Sequence, residues 1–180
     1  MKFVGGMLLA AGLSISTSSM ALIEGQLLIG QRTADFNEAN FSGTETKLSV
    51  YLDPIPLIPV GAGISYSNVD LGDDDTIKNF TGSEISVDVT AWLPLGIAGF
   101  KPYAKLGYVV SGEYTFDTLL EGETSLDTSG TKFGIGIKYS PLPLVGFLAE
   151  FEKSDINLEA NNNDTSSDNT SFFIGVAAGI

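Results

Sequence analysis

The stretch Asp53-Pro-Ile-Pro-Leu-Ile-Pro59 contains three of the chain's seven prolines and decides how the rest of the sequence is divided. Two similar stretches follow, Leu93-Pro-Leu-Gly-Ile-Ala-Gly99 and Ser140-Pro-Leu-Pro-Leu-Val-Gly146, and Pro102 is the one proline outside the three. Proline has no N–H to donate to a β-ladder, so each stretch predicts a turn or the end of a strand. The stretches lie roughly 45 residues apart, which indicates a weak repeat whose unit is a pair of strands.

Polar segments rich in acidic residues, Gly, Asn and Ser lie between these turns. They are Asp35–Gly43, Asp70–Gly82, Asp117–Ser129 and Leu158–Asn169. We expect them to be long acidic loops, in contrast to the short proline-rich turns. Three turns and four loops separate eight segments of about 10 residues or a little more, which is the length of a tilted membrane strand.

Most of the eight segments alternate between apolar and polar residues. In the second segment, Leu48, Val50 and Leu52 share one face, while Lys47 and Ser49 share the other. The same alternation runs through residues 84–93, 103–114, 132–139 and 171–180, and it places Tyr108 and Tyr114 together on the apolar face of the fifth segment. A period of two predicts β-strands.

These patterns predict an all-β fold, an eight-stranded antiparallel up-and-down transmembrane β-barrel. The asymmetry between short turns and long loops is typical of outer-membrane barrels, with the short turns in the periplasm. A closed barrel also leaves no unpaired backbone groups in lipid. Alternation alone also fits a soluble secreted β-barrel or sandwich, which stays open as an alternative.

The N-terminus has the three parts of a secretory signal peptide. Lys2 is followed by an apolar run from Phe3 to about Ile15 and by the small residues around Ser19-Met20-Ala21. The run is shorter than the ~20 apolar residues that a membrane-spanning helix needs. We therefore expect a signal peptide at residues 1–21, cleaved after Ala21, and a barrel domain at residues 22–180 in the outer membrane of a Gram-negative cell.

With its eight alternating segments, signal peptide and unequal connections, the chain resembles the small outer-membrane β-barrel families of the OmpA transmembrane domain and OmpX. The resemblance covers the whole chain after the signal peptide and is one of architecture. It implies insertion by the outer-membrane assembly machinery and a surrounding of outer-membrane lipid and lipopolysaccharide. We expect a monomer.

An eight-stranded barrel is just wide enough for side chains to fill it. By alternation, the inward-facing charged residues are Glu45, Lys47, Asp88, Lys105, Lys132, Lys138, Glu150 and Glu152. Charges in a narrow interior need partners, and we expect Asp88 to pair with Lys105 and Lys138 with Glu150. This favours a structural charge network in a plugged barrel over an open channel.

Composition narrows the function further. A net charge of −13 argues against nucleic-acid binding, which requires a basic surface. The chain has no His and no Cys, the usual groups for proton transfer and thiolate attack, so we expect neither an enzyme nor a cofactor. Acidic runs such as Asp73-Asp74-Asp75 offer oxygen ligands to divalent cations, although the spacing of a calcium-binding loop is missing.

The sequence therefore predicts a structural or surface-interaction protein that acts through acidic extracellular loops. The alternative is a narrow pore or a transporter for small solutes or small apolar molecules.

Overall fold

A computed structural model describes residues 23–36, 39–52, 59–72, 77–93, 99–118, 122–142, 144–160 and 163–179. The expected signal peptide, residues 1–21, and the run Asp73–Asp75 lie outside these residues. No helix within the described ranges is long and apolar enough to cross a membrane.

Eight strands form a closed barrel in which each strand pairs antiparallel with the next, and the first pairs with the last. The strands are β1 Ile23–Phe36, β2 Ala39–Leu52, β3 Val60–Gly72, β4 Ile77–Trp92, β5 Phe100–Thr118, β6 Gly122–Leu142, β7 Val145–Ala160 and β8 Asn163–Gly179. The predicted eight-stranded, antiparallel, up-and-down barrel is confirmed.

The two ends of the barrel differ in composition. The strand ends that flank the proline-rich stretches lie at one end, which we call the proline end. There β1 starts and β8 stops, since Ile23 pairs with Leu52 and Gly179 with Glu24. The opposite end, the acidic end, contains the four segments that the sequence analysis assigned to loops.

The prediction of long acidic loops is wrong. The strands continue through most of these segments, so that only residues 37–38, 73–76, 119–121 and 161–162 separate them at the acidic end. At the proline end the connections 53–59 and 93–99 are longer than these, and only the third, 143–144, is short as predicted. The predicted asymmetry is therefore reversed at two of the three proline-rich turns. The acidic segments keep the two-residue period of a strand, but with a different polarity on each face.

An apolar belt surrounds the half of the barrel nearer the proline end. Each strand contributes to it with exposed side chains, for example Leu27, Leu48, Ile64, Val87, Leu106, Ile135, Phe147 and Ile174. The belt stops at a sharp boundary: on β8, Phe172 faces outward within it, and Thr170 and the exposed Asp168 follow beyond it.

Beyond the belt, the barrel continues as a projection with a polar outer surface, which we call the acidic-end extension. It consists of residues 31–36, 39–46, 68–72, 77–83, 111–118, 122–131, 153–160 and 163–170. The exposed Asp35, Asp155 and Glu159 lie on its outer face.

The interior changes polarity in the opposite sense. Inside the belt, the buried side chains are mostly charged or hydroxyl-bearing. Inside the extension they are mainly apolar and form a plug, with Val109 at its base, of Ala34, Phe41, Val69, Leu71, Phe80, Tyr114, Ile156 and Leu158. The barrel thus has an apolar exterior and a polar interior along one half, and a polar exterior and an apolar interior along the other.

The β5 strand departs from simple alternation. The pairing of β5 with β6 shifts between Val109 and Glu113, which is a β-bulge. Val110 and Ser111 both face outward there, and Tyr114 turns inward. The predicted place of Tyr114 on the apolar outer face is therefore wrong, because an extra residue in one strand reverses the alternation that follows it.

Candidate functional site

The interior within the belt and at the base of the extension contains eleven buried charged side chains, five basic and six acidic. All eight residues predicted to face inward are buried there: Glu45, Lys47, Asp88, Lys105, Lys132, Lys138, Glu150 and Glu152. The other three are Glu24, Arg32 and Glu84. Glu84 shares the inner face of β4 with Asp88, so alternation alone was sufficient to find it; β1, by contrast, has adjacent apolar residues that obscure the pattern.

The centre of this site joins three lysines to two glutamates of β7. The Lys47 ammonium lies 3.2 Å from Glu150 and 2.7 Å from Glu152. Lys105 lies 2.5 Å and 2.8 Å from the same two carboxylates. Lys132 lies 3.7 Å from Glu152.

Glu84 connects this centre to the plug. Its carboxylate lies 2.5 Å from Lys132 and 2.9 Å from Arg32, and the Tyr114 hydroxyl of the plug donates a 2.5 Å hydrogen bond to it. Arg32 also lies 3.8 Å from Glu45, which accepts a hydrogen bond from Ser171. These contacts form one continuous ion-pair network from Glu45 to Glu150.

The two pairs expected from sequence are wrong. Lys105 pairs with Glu150 and Glu152 in place of Asp88, and Lys138 pairs with Glu24 in place of Glu150. Asp88 accepts hydrogen bonds from the hydroxyls of Tyr51, Ser65 and Ser86. Both expected ion pairs join neighbouring strands, whereas many of the observed ion pairs join strands that are not neighbours and cross the bore.

Large side chains fit in this narrow space because glycines face them. A Cβ atom on Gly136 would lie 2.4 Å from Cζ of Tyr103, whose hydroxyl donates a 2.8 Å hydrogen bond to Glu150. A Cβ on Gly82 would lie 2.5 Å from Cδ1 of Tyr114. Only a residue without a side chain permits such an approach, and each of the two tyrosines donates a hydrogen bond to a glutamate of the network.

The plug seals the network from the acidic end. Phe80 is at its centre, with its ring edge-on to those of Phe41, Tyr114 and Phe116 at centroid distances of 5.2, 5.7 and 5.6 Å. Edge-to-face contacts of this kind stabilise an aromatic cluster beyond the area that it buries. The described side chains thus fill the bore at two levels, one charged and one apolar.

The exposed face of the extension carries aligned acidic residues. Asp168 on β8 lies directly opposite Asp35 on β1 and Asp155 on β7. Likewise, Asp127 on β6 lies opposite Glu113 on β5 and Glu159 on β7. Like charges in directly opposed positions repel one another, so these rows make the surface strongly negative.

Comparison with known proteins agrees with this architecture. Residues 6–179 match the family model described as outer membrane protein beta-barrel domain. No curated protein matches the chain significantly.

Three solved structures share the fold. Neisserial surface protein A is 14% identical, with a TM-score of 0.73 over 88% of this chain and 97% of that one. The N-terminal β-barrel domain of OprF from Pseudomonas aeruginosa is 14% identical, with a TM-score of 0.56 over 89% and 98%. Ail, the attachment invasion locus protein of Yersinia pestis, is 15% identical, with a TM-score of 0.53 over 86% and 97%.

Proposed function

Because the chain belongs to the family of outer-membrane proteins with a β-barrel domain, we propose that its interior is closed and that its function lies on the surface of the acidic-end extension. The family places the protein in the outer membrane. The apolar belt is then the surface that contacts lipid, and it has the alternation and the outward apolar band of such barrels.

The closed interior is the observation that carries this proposal. The side chains of Lys47, Lys105 and Lys132 are at most 3% exposed, as are those of Glu84 and Glu152. Each of these five charges has an oppositely charged partner within the bore, and the plug covers them on one side. A solute-conducting barrel needs a water-filled path, and an eight-stranded barrel is narrow enough for its own side chains to fill.

The acidic end is proposed to face outward from the cell. Both the first and the last strand meet the proline end, which suits termini in the periplasm. The extension then stands in the lipopolysaccharide layer as a rigid structure with its own apolar core. Rigid strands can present fixed side chains to a partner at lower entropic cost than mobile loops.

The proposal includes no catalysis. The sequence has neither His nor Cys. Among the described residues, no group of three or more acidic side chains is arranged to hold a metal ion. Its proposed partners are outer-membrane lipid and lipopolysaccharide, the assembly machinery during insertion, and divalent cations near the acidic rows; the barrel is proposed to be a monomer.

Conductance in a planar bilayer tests the closed interior. We expect no single-channel steps from the full protein, nor from Lys105→Met, because the plug stays in place when one lysine is replaced. A known porin in the same bilayer shows that channels are detected. Well-defined steps from the unmodified protein would overturn the closed barrel in favour of a pore.

Thiol labelling of intact cells tests the orientation. The chain has no cysteine, so a single introduced one is unique. We expect Ser166→Cys, on the exposed face of the extension, to react with a membrane-impermeant maleimide. Leu144→Cys, exposed at the proline end, is the matched control and should react only after the outer membrane is permeabilised. The reverse result would contradict the orientation.

A further inference from the structure

A shallow groove crosses the outer face of β3, β4 and β5 where the extension begins. It has a volume of about 250 Å³, and its lining includes Tyr66, Asn68, Thr81, Ser83, Glu113 and Thr115. Pairing places Asn68, Ser83 and Glu113 in one row across the three strands, and Thr81 lies opposite Thr115 in the next row. The groove is thus a two-row patch of the sheet, set directly above the last row of the belt.

The strands are irregular around this groove. Their pairing shifts between Asp70 and Gly72, at two points of the β4–β5 pair, and between Val109 and Glu113 of the β5–β6 pair. Asn79 adopts a left-handed conformation with φ of 52° in the same region. Bulges often occur beside functional sites, where they redirect side chains. Four of the five register shifts in the described sheet lie here.

The polar groups of the groove are mostly neutral. The Thr81 and Thr115 hydroxyl oxygens lie 3.2 Å apart, and the Ser125 hydroxyl donates to the Glu113 carboxylate. Asn68 and Ser83 add an amide and a hydroxyl. Together they supply both donors and acceptors, as a ligand with several hydroxyl groups requires.

The chemistry of the lining argues against charged ligands. No Lys or Arg lines the groove, and the Glu113 carboxylate would repel a phosphate or another anion. Glu113 is the one carboxylate among the lining residues, which is too few charged ligands for Ca²⁺, since that cation takes six to eight oxygens. A neutral, hydroxyl-rich molecule remains.

Size and position define that molecule further. The groove is open to solvent and has a volume of about 250 Å³, which leaves room for one small ring lying on the surface and not for a drug-sized ligand. The Tyr66 side chain is 47% exposed at the belt edge of the groove. Its amphipathic ring can meet both a sugar face and acyl chains. Directly opposite it on β4, the exposed Ile85 belongs to the same edge row of the lipid-facing belt.

We propose that this groove binds the neutral sugar headgroup of a membrane glycolipid, whose acyl chains lie along the belt beneath Tyr66. The proposal rests on the proposed function only in placing the belt edge at the membrane surface. It names a partner for the base of the extension.

The test uses the full protein in lipid nanodiscs that contain either monoglucosyl diacylglycerol or phosphatidylglycerol with the same acyl chains. We expect the methyl NMR signals of Thr81 and Thr115 to shift with the glycolipid and not with the phospholipid. We also expect native mass spectrometry to find the glycolipid retained at least tenfold more than the phospholipid. Equal shifts and equal retention would overturn the proposal.

Two variants locate the site. Ser83→Trp fills the groove from the exposed face, and we expect it to abolish the preference for glycolipid. Thr131→Trp, on the outer face of β6 outside the groove, is the control and should keep it. If Ser83→Trp leaves the preference intact, the groove is not the site.

A soluble sugar distinguishes the source of the ligand. If methyl glucoside shifts the threonine signals at the same concentrations as the glycolipid, the proposal that the ligand is anchored in the membrane is overturned. Conductance measured on the same samples separates this proposal from the proposed function. If the samples conduct ions and still bind the glycolipid, the proposed closed interior is contradicted and the proposed glycolipid site stands.

Discussion

Oε2 of Glu152 lies 2.7 Å from the Lys47 ammonium and 2.8 Å from that of Lys105. One carboxylate oxygen of β7 thus forms ion pairs with lysines of two other strands, β2 and β5. We expect Glu152→Gln to lower the free energy of unfolding by about 3–5 kcal/mol, because three buried lysines lose part of their compensation. Urea unfolding in detergent micelles, followed by tryptophan fluorescence, measures the change.

Glu159→Gln is the matched control for this variant. Glu159 is on the same strand but exposed on the outer face of the extension. Its replacement should change stability by no more than about 0.5 kcal/mol. Similar losses for both variants would show that the interior network does not stabilise the barrel.

The close contact of Tyr103 with Gly136 yields a second prediction. Gly136→Ala puts a methyl group where the Tyr103 ring lies, and we expect a loss of about 1–3 kcal/mol from overpacking. In Gly25→Ala the new methyl group would meet nothing nearer than 3.9 Å, so that variant should be close to neutral. The ratio of folded to unfolded bands on unboiled gels, at increasing urea, compares the two; equal behaviour would contradict the tight fit.

The boundary of the belt can be mapped on a single strand face. Ile135 and Thr131 both face outward on β6, within the belt and beyond it respectively. We expect Ile135→Arg to cost about 2–4 kcal/mol in lipid bilayers, and Thr131→Arg about 0–1 kcal/mol, because the penalty falls towards the membrane surface. Equal costs in reversible folding into vesicles would place the membrane elsewhere.

The aligned aspartates predict a stabilising substitution. Asp168→Asn removes repulsion with both Asp35 and Asp155, and we expect a gain of about 0.2–1 kcal/mol at low salt. Millimolar Ca²⁺ should raise the melting temperature of the unmodified protein more than that of the variant, as expected if divalent cations neutralise the acidic rows. A melting temperature unaffected by Ca²⁺ in both proteins would exclude such neutralisation.

The N-terminal processing is a further prediction. Cleavage after Ala21 gives a mature chain that starts at Leu22. N-terminal sequencing of the protein from isolated outer membranes measures this start directly. Retention of Met1 in the membrane-inserted protein would show that the segment is not a signal peptide.

Strand number and the inner face of the belt were predictable because two local signals agree there. Proline marks the strand ends at Pro54, Pro94 and Pro141, and the alternation around Lys47 and Lys132 assigns each side chain to a face. Both signals depend only on neighbours in sequence. The membrane adds a constraint that agrees with both signals, since a charged side chain on the outer face of the belt would contact lipid.

The partners and the extension depend on longer-range geometry. Lys47 and Glu152 are 105 residues apart and meet across the bore, which no pairing of neighbouring strands indicates. The composition of the acidic segments predicts loops, because acidic and hydroxyl-bearing residues are typical of loops. Several of their inward residues, such as Leu71 and Leu158, are apolar and alternate with exposed polar residues, which indicates a strand whose outer face is in water.

The reversal of polarity along each strand also fixes how deep the barrel sits. A shift towards the proline end by one pair of residues would carry Asp155 and Asp168 towards hydrocarbon, while a shift the other way would lift Phe172 and Phe133 into water. Either displacement is resisted on all eight strands at once. The barrel wall therefore fixes the position of the barrel along the membrane normal. It also fixes the distance of each outer surface residue from the membrane, without any anchor outside the sheet.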